Sequence, residues 1–88
     1  MGKVAIKYRI MPEDTEVDLD ALASAVESAL SGLAEVKAKE IVPIAFGLKA
    51  LTILVVVPDE GGASDRVEEA VRGVEGVESI QVEELSLI

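Results

Sequence analysis

Carboxylates are the one abundant reactive group in this sequence. Of its 88 residues, 17 are Asp or Glu against 8 Lys or Arg, a formal charge of −9, and it has no His and no Cys. Four carboxylate pairs are adjacent in sequence, Glu13/Asp14, Asp59/Glu60, Glu68/Glu69 and Glu83/Glu84. Such pairs can hold Mg²⁺ or move protons. Neighbours in a strand point to opposite faces, however, and neither loop pair has the regular oxygen-ligand spacing of a calcium loop, so they read as solvated surface. With neither thiolate nor imidazole, most zinc, copper and iron chemistry is closed, together with His-based acid–base work. The expectation is a chain with no catalytic residue, no resident metal and no cofactor.

The negative balance also opposes binding to a nucleic-acid backbone, which rewards Lys and Arg. Gly61-Gly62 could offer amides to a phosphate, but the Lys-Ser/Thr of a P-loop does not follow, and the pair reads as a flexible loop feeding a helix. Met1 to Lys7 goes straight into charged alternation, and no run of about 18 apolar residues follows. The sequence therefore reads as a cytoplasmic protein with neither membrane nor direct nucleic-acid contact.

The elements that must position any site can be read from hydrophobic period. From Lys3 to Met11 the pattern alternates, Val4, Ile6, Tyr8 and Ile10 on one face, Lys7 and Arg9 on the other, and Pro12 stops it. Asp18 can cap a helix with the stripe Leu19, Leu22, Val26, Leu30 and Leu33, widened by Ala25 and Ala29 and ended by Gly32. A short charged strand from about Glu35 to Val42 suits a sheet edge. Pro43 to Gly47 reads as a turn or loop, and Leu48 to Val57, apolar on both parities, as a central strand. A second helix opens near Ser64 with the stripe Ala63, Val67, Ala70, Val71 and Val74, closed by Gly73 and Gly76. The last strand runs from about Val77 to Leu85.

The two halves echo each other at nearly the same spacing: Met11-Pro12-Glu13-Asp14 answers Val57-Pro58-Asp59-Glu60, and Gly32 to Val36 answers Gly76 to Ile80. Two strand-helix-strand units of this size predict an α+β split βαβ sandwich, a four-stranded antiparallel sheet with both helices on one face. Right-handed crossovers place the first and third strands in the centre. The other sheet face has no helix to cover it and carries surplus aliphatics, Leu54 and Val56 or Ile53 and Val55 by register, bordered by Lys7 and Arg9. It suits a protein partner or self-association. RNA-recognition modules of this topology stack bases on sheet aromatics, and metal chaperones use a Cys-x-x-Cys loop; this sequence offers neither. Phe46, the only Phe, falls in a loop, as an exposed anchor or a plug over the core.

The run Pro43-Ile44-Ala45-Phe46-Gly47-Leu48-Lys49-Ala50-Leu51, followed by Val55 to Glu60, resembles the translation elongation factor 1-beta family in its short archaeal form. The opening Val4 to Glu13, Glu16-Val17-Asp18-Leu19, Gly73 to Ser79 and Leu87-Ile88 fit the same resemblance over the whole length. It implies a ferredoxin-like fold, with residues 1–88 forming one guanine nucleotide exchange domain for the GTPase elongation factor 1-alpha, without chemistry of its own. It also implies that the loop at Phe46 and Gly47 contacts the GTPase, with Lys49 as a charged neighbour at the rim. Eukaryotic members carry a near-terminal Lys that reaches toward the Mg²⁺ site; Leu87 stands there, before Ile88, and no Lys or Arg follows Arg72. Steric wedging by Leu87 and Ile88 is one expectation and closure of the core by the same residues the other. Two further readings stay open, a ligand-sensing regulatory domain and an oligomeric scaffold, each associating through the uncovered sheet face.

Overall fold

The computed structural model describes residues 2–45 and 47–88. Its elements follow in the order β1 (Lys3–Pro12), α1 (Leu19–Leu30), β2 (Glu35–Ala45), β3 (Leu48–Pro58), α2 (Ala63–Arg72) and β4 (Val77–Leu87). All strand pairs are antiparallel, in the order β2-β3-β1-β4, so β1 and β3 are central as the crossover argument requires. Helix α1 lies over β2 and β3, and α2 over β3 and β4. This is the α+β ferredoxin-like split arrangement.

Local sequence explains most boundaries. The Asp18 carboxylate accepts hydrogen bonds from the amides of Asp20 and Ala21 at 3.0 and 3.3 Å, satisfying two of the unpaired donors at the start of α1. Gly32, at φ 85°, reverses the chain after α1 in a backbone region that costs other residues about 1–2 kcal/mol. One continuous core joins Val4, Ile6, Tyr8 and Ile10 of β1 to Leu51, Ile53, Val55 and Val57 of β3, under Leu22, Val26 and Leu30 of α1 and Val67 and Val71 of α2.

Several expectations are corrected. Helix α1 buries Ala23 rather than Ala25, and Leu33 lies beyond its end, exposed. β2 does not stop at Val42: Pro43 pairs with Lys49 and Ala45 with Leu48, so the expected loop is strand up to a tight reversal. Pro43 is tolerated because β2 is an edge strand. β4 runs on past Leu85, bringing Leu87 opposite Val4. The β1–β3 register settles the surplus aliphatics. Leu54 and Val56 lie opposite Lys7 and Ala5 on the uncovered face, whereas Ile53 and Val55 face the helices.

Candidate functional site

Three separate regions hold the residues that the sequence singled out. The first is the β2–β3 hairpin. The β1–β3 register ends at Ile10 and Leu51, while β2 and β3 stay paired to Ala45 and Leu48, so the hairpin overhangs the sheet as a two-stranded ribbon. The register shift between Pro43 and Ala45 leaves Ile44 unpaired, a bulge that sharpens the ribbon's twist. Gly47 reverses the chain at φ 73°. Phe46 lies outside the described residues. Lys49 and Gly47 line an open cleft of about 450 Å³ with Pro12, Asp14, Val17, Asp20 and Ile41. Among the described residues Lys49 makes no ion pair, so its charge is available at the tip. Ile41 and Ile44 are exposed on the same ribbon.

The second region is the uncovered face. Lys7 stands opposite Leu54 on one side and Glu84 on the other, and Arg9 opposite Thr52 and Gln81. The Arg9 guanidinium donates to Glu83 at 2.7 Å, which engages its charge within the protein. Glu40 and Thr52 share this face, and Leu54 and Val56 are only half-buried. It is a mixed, largely polar surface rather than an apolar one.

The third region is the end of β4. The Ile88 amide donates to the Lys3 carbonyl at 2.9 Å, so the strand is tied to β1, yet Leu85, Leu87 and Ile88 are 56%, 73% and 72% exposed. Closure of the core by Leu87 and Ile88 is therefore overturned. The physical reason is position across the sheet. Leu85 and Leu87 stand opposite Ile6 and Val4, which are buried, but β4 is an edge strand and the start of α2 beside it leaves its outer part uncovered. Val77 and Ile80 are buried, and from Gln81 onward every residue of β4 is exposed. Leu85 and Leu87 instead line a shallow groove with Val4, Ile6, Val57, Pro58, Asp59, Glu60, Ala63 and Ser64 at the start of α2.

The structure brings Gly47 and Lys49 together, and separately Leu87 and Ile88, but not the two sets. Val57, whose partner Val4 lies beside Leu87, is nine residues along β3 from Leu48, or about 30 Å at strand rise. Lys7 and Arg9 sit between. Sequence reasoning missed Ile41, Ile44, Val82 and Leu85 as exposed aliphatics. The expected last strand already held Val82 and Leu85, but the Glu83 bulge that puts them on one face breaks the alternation and leaves no signal in the sequence.

Among the described residues no cluster of three acidic side chains could hold a metal, and no helix is long and apolar enough to cross a membrane. Among the described residues the group pushed farthest from its ordinary titration is the buried Tyr8 phenol. Loss of hydration raises its pKa first, then the Glu68 carboxylate 3.4 Å away. It sits in the core, away from all three regions.

A ferredoxin-like sandwich with aliphatic projections at both ends and charged side chains between them offers surfaces for gripping a macromolecule and, among the described residues, no assembled set of reacting groups. The model of the EF-1 guanine nucleotide exchange domain family matches residues 5–88. The chain is 47% identical over 88 residues to elongation factor 1-beta of Natronomonas pharaonis, covering 100% of both chains. It is 49% identical over 85 residues to that of Methanococcoides burtonii, covering 97% of this chain and 96% of the relative. With that of Archaeoglobus fulgidus it shares 40% over 88 residues, again the full length of both. The chain belongs to the EF-1 guanine nucleotide exchange domain family. It is an exchange factor that promotes replacement of GDP by GTP on elongation factor 1-alpha, not an enzyme with chemistry of its own.

Proposed function

We propose that residues 1–88 act as one exchange domain in the cytoplasm, gripping elongation factor 1-alpha at two places along the length of the sheet. Phe46, Gly47 and Lys49 make one contact at the hairpin tip, and Leu87 and Ile88 make the other at the end of β4. Lys7 and Arg9 border the path between them on the uncovered face. The observation that supports this most is the placement of exposed aliphatic side chains at both ends of one sheet, about 30 Å apart by strand rise.

An exchange factor works only through differential affinity: it must bind the nucleotide-free GTPase better than the GDP-bound form, since equal affinity shifts nothing. A rigid sheet held at two points fits one spacing on its partner, and a GTPase conformation that offers that spacing is stabilised over one that does not. Phe46 supplies an aromatic anchor of the kind that dominates binding energy when desolvated. Leu87 and Ile88, being uncharged, act at the far end by packing and by excluding water.

Self-association through the uncovered face has less behind it. Leu54 and Val56 are half-buried there among Lys7, Arg9, Glu35 and Glu40, and two chains of charge −9 repel. The test is release of a fluorescent GDP analogue from elongation factor 1-alpha, chased with excess GTP, with wild-type chain and with Phe46→Ala. Wild type should speed release and Phe46→Ala should lose most of the gain. A folded Phe46→Ala variant that matched wild type would remove the hairpin anchor from the proposal.

A further inference from the structure

The two edges of the sheet are not protected alike. β2 carries Lys37, Lys39 and Pro43, and register shifts at Lys37 and Ile44, the usual devices that stop an edge from pairing with a stray strand. β4, the other edge, has no Lys, Arg or Pro and a single irregularity within its last half, at Glu83. Beyond that bulge the ladder to β1 is regular. Because Ile88 gives its amide to Lys3, alternation turns the amides of Ser86 and Glu84 inward as well, and those of Leu85 and Leu87 outward. Leu85 and Leu87 therefore present free backbone donors and acceptors together with exposed aliphatic side chains, beside a groove that holds Asp59 and Glu60.

We propose that the segment Glu83 to Ile88 is a docking edge that accepts an extended segment of another protein as a fifth strand, one alternating aliphatic with Lys or Arg side chains. The backbone groups would supply the pairing, and the Leu85–Leu87 ledge would take the aliphatics. Alternation turns the remaining side chains of such a strand to the opposite face, beside Glu84, where that carboxylate and the net charge of −9 favour Lys or Arg. A second copy of this chain meets the same backbone but sets −9 against −9, which disfavours it relative to a basic segment. The inference concerns the strand edge and holds whether or not Leu87 also touches the GTPase.

The experiment is amide hydrogen exchange by NMR on the full chain, with a capped peptide alternating lysine and valine as the probe. At saturation the Leu85 and Leu87 amides should exchange at least about tenfold more slowly. The same peptide with glutamate for lysine should bind far more weakly. Leu87→Pro removes only an outward amide, so the fold, checked by unchanged protection at Ile6 and Val55, should survive while peptide affinity falls about five- to tenfold. Leu85→Ser should weaken the peptide without altering the backbone edge. The proposal is overturned by unchanged exchange at Leu85 and Leu87, by protection appearing on β2 instead, or by equal binding of the glutamate peptide. It is equally overturned if those amides are already protected without peptide in a species of doubled mass.

Discussion

Replacing Leu87 by alanine separates a folding role from a partner-contact role, because its side chain is already 73% exposed in the free chain. Full burial of a leucine is worth about 1.5–3 kcal/mol. Roughly three-quarters of that, about 1–2 kcal/mol, remains to be gained in a complex, and only about 0.5 kcal/mol is held in the fold. Leu87→Ala should therefore lower the second-order rate constant for stimulated GDP release about five- to thirtyfold. Its melting temperature should fall by only about 2–4 °C. The matched control is Leu30→Ala, whose side chain is fully buried under α1. That change costs about 2–5 kcal/mol and a melting shift of at least about 10 °C, with activity kept at temperatures where the variant is folded. Paired scans of melting and nucleotide release on both variants give the answer. If Leu87→Ala melted as low as Leu30→Ala, or released GDP as fast as wild type while folded, the terminal contact would be wrong.

Charge reversal by Lys49→Glu, beside Asp14 and Asp20 in the hairpin cleft, should slow association with the GTPase several-fold at low salt and less at high salt, as steering effects do; a salt-independent result would count against a rim contact. Asp18→Ala removes the two capping bonds of α1 and should cost about 1 kcal/mol, seen as a melting shift of about 4–8 °C with exchange activity intact. Tyr8, the only tyrosine, has its pKa raised in the fold by burial and by Glu68. Its contribution is thus fully present below the unfolded pKa of about 10 and is lost as pH climbs from there toward the folded value. Denaturant midpoints should fall with rising pH above about 10 in wild type and fall less in Tyr8→Phe, and phenolate absorbance of the native protein should appear only above the ordinary tyrosine range. Equal slopes in the two proteins would refute that coupling.

The architecture was legible because its signals are local. Alternation in β1, the Asp18 cap and the breaks at Pro12, Gly32 and Gly62 each depend on a few neighbouring residues. The echo between the halves then supplied the topology. What could not be read depends on pairing. The shifts at Lys37 and Glu83 set which side chains share a face, and a shift of one residue reverses the faces. Pro43 looked like a terminator because a proline breaks a central ladder, yet on an edge strand its missing amide faces solvent. The exposure of Leu87 was hidden for another reason. Its residue type favours burial, and only its place on an edge strand, opposite Val4, leaves it uncovered.

That uneven cover links fold to activity. A split βαβ sandwich of this length needs its helices only over the middle of its sheet, since Ile6, Tyr8, Ile53 and Val55 already form a fully buried centre. Strand outside that cover adds little to the core, so it is free to carry contacts. The hairpin overhang does so with Ile41 and Ile44, and the edge strand β4 with Leu85 and Leu87. Because both continue the hydrogen-bonded sheet, their separation is fixed by β3 and β1 rather than by loops. Ser64→Leu, filling the groove beside Leu85 and Leu87, would stabilise the free chain while weakening its grip on a partner. Such a variant should melt higher and stimulate GDP release less, and one that melted higher with undiminished exchange would show that the ledge is surface without a task.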